Sequence, residues 1–159
     1  MKKSLTVFFV VTLLAISFAA FGYDRELAKK FNTMFSMFTP EMIAKRPCQV
    51  TTTQLLDMIK KREPFVILDV RTPQEVAIVG VTWRDKLEIP LHEIFKPENL
   101  AKLPKDKKIV VICHTGDRAA AAVVALRAIG FEQAFQFRGG IAELAKEVGR
   151  SLGASPFEF

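Results

Sequence analysis

The sequence predicts an α/β domain: a parallel sheet with helices on both faces. Three observations carry this expectation. Short apolar runs alternate with helical patterns along the chain, as strand–helix–strand units require. The run Ile109-Val110-Val111-Ile112 is β-branched without polar alternation, the mark of a strand buried on both faces. Turn residues punctuate the runs at Pro64, Pro90, Pro104, Gly130 and Gly139-Gly140.

The elements follow in order. Residues 1–22 read as a cleaved leader. Lys2 and Lys3 precede an uncharged, mostly apolar stretch from Leu5 to Phe21, and small residues at Ala20 and Gly22 suit a signal peptidase. Cleavage after Gly22 leaves 137 residues and lowers the formal charge from +6 to +4. Retention as an anchor is the alternative, at the short edge for a membrane-spanning helix. The expected location is outside the cytoplasm, in the periplasm, with no membrane contact after cleavage.

Residues 23–47 form a helical extension. Asp24 can cap a helix whose apolar stripe is Leu27, Phe31, Met34, Phe35 and Phe38, and Thr39-Pro40 ends it and can start a short second one. Such a stripe calls for a cover, which the domain itself, a second copy of the chain or a membrane surface could supply.

The domain proper is expected over residues 48–150, with a tail at 151–159. Val50-Thr51 opens it as a short strand. Thr51 and Gln54 make a capping-box pattern ahead of Leu55, Leu56, Met58 and Ile59. Phe65 to Leu68 is a buried strand ending in Asp69-Val70-Arg71, followed by a helix start at Thr72-Pro73-Gln74-Glu75. Leu87-Glu88-Ile89 is a further strand. After Ile109–Ile112, residues 119–129 read as a helix closed by Gly130, with Phe131 folding back on Leu126. Ala134 to Phe137 is the last strand, Arg138-Gly139-Gly140 a turn, and Ile141, Leu144, Ala145 and Val148 a helical stripe stopping at Gly149.

Composition narrows the function. The pI of about 9.5 comes from scattered basic residues, which describes a solvated basic surface that favours small anions and not a nucleic-acid-binding run. His92 and His114 lack metal-ligand spacing with either cysteine, and no Gly-rich nucleotide fingerprint appears; no metal and no cofactor are expected. Two cysteines are few for an exported chain, so Cys48 and Cys113 form either one structural disulfide or at least one reactive thiol.

The segment Cys113-His114-Thr115-Gly116-Asp117-Arg118 joins a buried strand to a helix start, where active groups of parallel sheets gather. A loop of this kind can turn successive backbone N–H groups inward as an anion nest, reinforced by the helix N-terminus. Gly116 supplies the conformation and Arg118 a fixed cation. A cysteine at the base of that cradle is expected to react as a thiolate, and the cradle to hold an anionic substrate or leaving group.

From about residue 48 to 150 the chain resembles the rhodanese family. The matching pieces, in order, are the strand ending Asp69-Val70-Arg71 with Thr72-Pro73-Gln74-Glu75, then Ile89-Pro90-Leu91, then the Lys107-to-Arg118 stretch with its Cys-x-x-Gly-x-Arg loop, then Gly130-Phe131 and Arg138-Gly139-Gly140-Ile141. The resemblance implies a three-layer fold on a five-stranded parallel sheet. It implies that Cys113 accepts a sulfane sulfur from a small anionic donor such as thiosulfate, becomes a persulfide and passes the sulfur to a thiol or cyanide-like acceptor. It also implies that Asp69 and Arg71 brace the loop. His114 could orient a substrate or act as an acid, or have no such duty. The chain departs from the pattern after Glu75, where Ala77 to Lys86 with Trp83 replaces a Gly-His-Ile-x-Gly-Ala stretch, and at Leu144, where a tryptophan is usual. Two other functions fit the cysteine: a persulfide carrier serving a partner protein, and a phosphatase. Related phosphatases carry a Cys-x5-Arg loop; here the arginine comes one residue earlier and Asp117 places a negative charge nearby, which disfavours phosphate.

Overall fold

The computed structural model describes residues 22–154, and side chains through residue 148. The leader expected at residues 1–22 lies outside the described residues except for Gly22. The chain divides into two compact units, 1–43 and 44–159.

In the first unit, Asp24 caps α1 (Arg25–Ser36) by accepting the Leu27 N–H. Phe31, Phe35 and Phe38 form a continuous aromatic row along it, with ring centroids 6.0 and 5.9 Å apart. A short α2 (Pro40–Ala44) follows, as Pro40 at its first position favours.

The second unit is built on β1 (Gln49–Val50), β2 (Phe65–Asp69), β3 (Lys86–Glu88), β4 (Lys108–Ile112) and β5 (Ala134–Phe137). All neighbours are parallel, in the order β1-β5-β4-β2-β3. The helices are α3 (Thr52–Lys60), α4 (Pro73–Ile78), α5 (Pro97–Leu100), α6 (Asp117–Ala128) and α7 (Gly140–Ala154). The expected three-layer architecture with five parallel strands is what the chain adopts.

Strand alternation sorts the core into two faces. Leu68, Ile109 and Val111 meet Ala119, Ala122, Val123 and Leu126 of α6. Phe65, Ile67, Val110 and Ile112 meet Leu55 and Met58 of α3 and Ile141 of α7. Covered on both sides, β2 and β4 are apolar from Phe65 to Leu68 and from Ile109 to Ile112, without polar alternation.

Local signals act as expected at several ends. Thr51 and Gln54, and again Thr72 and Glu75, form complete capping boxes. Gly130 at φ +100° ends α6, with the Phe131 N–H returning to Leu126 O. Trp83 packs: its ring stacks on Phe65 at 4.7 Å and its Nε1 reaches Phe65 O at 3.5 Å.

Two expected helix bounds change. α7 runs through Gly149 to Ala154 instead of stopping at the glycine. A helical glycine costs only about 1 kcal/mol, too little to end a helix without a following turn. α6 begins two residues earlier than its alanine run, at Asp117, because Gly116 is its N-cap. The turn of 3₁₀ helix at Leu91–Glu93 and the four-residue α5 have no counterpart in the sequence reading, since neither is long enough to show periodicity.

Candidate functional site

β4 delivers Cys113 to the carboxyl edge of the sheet's central strand. The residue is 1 % exposed and packs in the core beside α6. Its Sγ accepts the Gly116 N–H at 3.1 Å, which curls the loop around the sulfur. Gly116 sits at φ +111°, and a Cβ there would come within 3.1 Å of Gln136 Nε2 and 3.3 Å of Gly139 N. Gln136 Nε2 in turn donates to Gly116 O at 3.1 Å. No side chain caps α6, so its N-terminal dipole faces the loop without a capping oxygen in between.

The loop's other side is tied down by α7. Ile141 N donates to Cys113 O at 2.9 Å and Ala142 N to His114 O at 3.1 Å. Gly140, at φ +60°, permits this approach: a Cβ would fall 2.5 Å from Cys113 O and still closer to His114 O. α7 thus takes both carbonyls, and the Gly116 N–H is the backbone donor on the sulfur. His114, Thr115 and Asp117 are exposed around this core, and Thr115 Oγ1 donates to Asp117 Oδ2 at 2.8 Å. A groove of about 700 Å³ runs beside the loop from Thr115 past Arg138 to Thr51 and Glu143.

Arg118 lies half-exposed in the first turn of α6 and grips Glu75 with both terminal nitrogens, Nη1–Oε2 at 2.8 Å and Nη2–Oε1 at 2.5 Å. The hydrogen bonds from Arg118, and then those from Thr72, hold the Glu75 carboxyl well below the usual carboxylate range. Glu75 raises the Arg118 guanidinium in return, and Cys113 adds to that rise at short range. Glu75 was legible in the sequence only as a helix-start residue; its reach across to Arg118 is tertiary.

Asp69 and Arg71 are buried together. Arg71 Nε and Nη2 bind the Asp69 carboxylate at 2.9 and 2.6 Å, and Nη1 donates to Val79 O at 2.8 Å. Their hydrogen bonds run to each other and to the segment after α4, and not to residues 113–118. Their bracing therefore acts on the neighbouring segment. Partner hydrogen bonds are the largest influence raising Arg71, with burial opposing.

The disulfide alternative fails on strand geometry. Gln49 pairs with Gln136, which pairs with Val111, so β1 and β4 are two strand spacings apart. Cys48 precedes Gln49 by one residue while Cys113 follows Val111 by two, which puts their Cα atoms roughly 14 Å apart. A disulfide needs less than about 7 Å. Both thiols are free, with Cys48 held at φ +64° two strands across from Cys113 and packed against the same core cluster. Among the described residues no group of three or more His, Cys, Asp or Glu is placed to hold a metal ion.

A family model, the rhodanese-like domain, matches residues 51–147. The chain belongs to the rhodanese-like family. Its relatives include a protein named simply as a sulfurtransferase from Allochromatium vinosum, 30% identical over 62% of this chain and 88% of that one. Another is a probable adenylyltransferase/sulfurtransferase, MoeZ, of Mycobacterium tuberculosis, 35% identical over 66% of this chain. The rhodanese-like chain spans only about a quarter, 26%, of MoeZ's length. Among solved structures, a rhodanese-related protein from Thermoplasma volcanium superposes with a TM-score of 0.53 at 31% identity, covering 62% of this chain and 91% of that one. These likenesses support a general role in sulfur transfer.

Proposed function

We propose that this rhodanese-like protein is an exported sulfurtransferase that moves a sulfane sulfur from a small anionic donor of the thiosulfate kind to a thiol or cyanide-like acceptor, with Cys113 as carrier. The observation that carries this reading is the Gly116 N–H bonded to Cys113 Sγ, inside a loop whose carbonyls are drawn away by α7. That arrangement aims a backbone donor at the sulfur that would carry the transferred atom. In the first step the Cys113 thiolate attacks the outer sulfur of the donor. The donor's S–S bond breaks, sulfite leaves with the electron pair, and a Cys113 persulfide forms. In the second step the acceptor attacks the outer sulfur of the persulfide, and the Cys113 thiolate is restored. The Gly116 N–H and the α6 dipole balance the negative charge that persists on sulfur through both steps.

Cyanide-dependent formation of thiocyanate from thiosulfate tests the reading. Cys113→Ser is expected to abolish it and to lose the persulfide mass on the protein. Cys48→Ser is expected to keep most activity, since Cys48 lies two strands across from Cys113, too far to touch its sulfur. Persulfide formation without turnover would point instead to the carrier role. Export is tested by fractionation and N-terminal sequencing: a periplasmic chain beginning at Tyr23 is expected, and a cytoplasmic chain retaining Met1 would remove that part of the proposal.

A further inference from the structure

Arg118 is the loop's own cation, yet both of its terminal nitrogens are committed to Glu75. Glu75 is itself anchored: its Oε2 accepts from Thr72 N and from Thr72 Oγ1, each at 3.0 Å. The cap of α4 thus presents a fixed carboxylate to a guanidinium 43 positions further along the chain. A thiol near this pair senses a compensated charge and not a lone cation. The Asp117 carboxylate, on the same loop, adds no positive charge.

Resting on the sulfur-transfer reading, we propose that Glu75 is a positioning residue that sets the charge of the site: it fixes the Arg118 guanidinium while cancelling its net charge, so that singly charged sulfane donors are taken ahead of dianionic thiosulfate. Thiosulfonate anions and alkyl persulfides are donors of that class. The chemistry is unchanged. The Cys113 thiolate attacks the outer sulfur, the S–S bond breaks, and a sulfinate or thiolate leaves with the electron pair where thiosulfate would release sulfite. Only the charge the site must accommodate differs. Coulomb energy scales with donor charge, so uncovering Arg118 helps a dianion twice as much, in logarithm, as a monoanion.

The experiment compares thiosulfate with methanethiosulfonate as donors to the full chain, with cyanide as acceptor. Glutamine can keep the capping-box bond to Thr72, so Glu75→Gln removes the charge without removing the cap. In Glu75→Gln, kcat/KM is expected to rise about tenfold for thiosulfate, mostly through KM, and about threefold for methanethiosulfonate. Glu75→Asp is expected to retain the wild-type donor ratio. Glu63→Gln makes the same charge change beside Lys108, at the opposite end of the strands, and is expected to leave both donors unaffected. Equal effects on the two donors, or a loss confined to thiosulfate, would overturn the proposal. A second readout needs no sulfur transfer: the rate ratio of iodoacetate to iodoacetamide at Cys113, which cancels the thiolate fraction. It is expected to rise severalfold in Glu75→Gln, and an unchanged ratio overturns the charge-setting role. Neither donor reacting with the wild type while this ratio still rises would remove the sulfur-transfer reading and leave the charge-setting one standing. Should Glu75→Gln not fold, the wild-type ratio decides: a steep fall as salt goes from roughly 0.01 to 0.2 M marks an uncompensated cation and overturns the proposal, and no fall supports it.

Discussion

Asp69→Ala removes one half of a buried ion pair and should be among the most damaging single changes in the domain. Asp69 is fully buried and Arg71 2 % exposed. The carboxylate accepts from Arg71 Nε, from Nη2 and from the Arg71 N–H at 3.1 Å. In the variant the guanidinium keeps a single bond, to Val79 O. It stays charged, because an arginine cannot shed its proton at ordinary pH. Breaking a buried pair from one side costs about 3–5 kcal/mol, most of it the isolated charge. For a domain of this size that is a fall in Tm of about 10–20 °C. Calorimetry gives the Tm and urea unfolding the free energy. The double variant Asp69→Leu with Arg71→Met removes both charges and should recover most of the loss, since an apolar pair avoids the desolvation penalty. A loss under about 1 kcal/mol in Asp69→Ala, or a double variant worse than the single one, would refute the reasoning. Below the lowered Tm, sulfur transfer by Asp69→Ala should stay within about tenfold of wild type, as expected of a brace that does not touch the reacting sulfur.

Other outcomes follow from the same geometry. Gly140→Ala places a Cβ against Cys113 O and His114 O at φ +60°, and should cost about 3 kcal/mol with a displaced loop, seen as a Tm drop together with reduced transfer activity. Trp83→Ala strips the half-buried ring stacked on Phe65 and should cost about 2 kcal/mol in urea unfolding, with kcat unchanged. Folding depresses the Glu75 carboxyl, so its contribution is complete above the unfolded value of about 4.3 and is lost as pH falls through the lower folded value. Urea midpoints between pH 7 and pH 3 should therefore fall more steeply in wild type than in Glu75→Gln; parallel curves would contradict the pairing.

Much of this protein was legible along the chain because the signals are local. The β-branched run Ile109–Ile112 declared a doubly buried strand, and the two Thr-x-x-Gln/Glu boxes declared helix starts. The alternation of elements implied a parallel sheet, and the step from strand to glycine loop to helix singled out Cys113. Each depends on neighbours within a turn or a strand, where backbone geometry links sequence position directly to spatial position. The helix end beyond Gly149 was misread because a glycine's small local cost does not decide where a helix stops.

Contacts between distant segments were decided only by the tertiary structure. That Gly140 must be a glycine is set by carbonyls 26 and 27 positions earlier, brought beneath it when β5 lies beside β4. That Cys48 and Cys113 stay apart is set by strand order and register, which put them two strands and three residues apart although a disulfide is open to the bare sequence. Glu75 is the clearest case. Its spacing from Thr72 makes it a cap, but a carboxylate has oxygens to spare, and which cation takes them depends on packing that brings α4 against the start of α6. Local spacing therefore determined the elements and singled out Cys113, while the pairing of Arg118 with Glu75 was settled by which helices the parallel sheet places side by side.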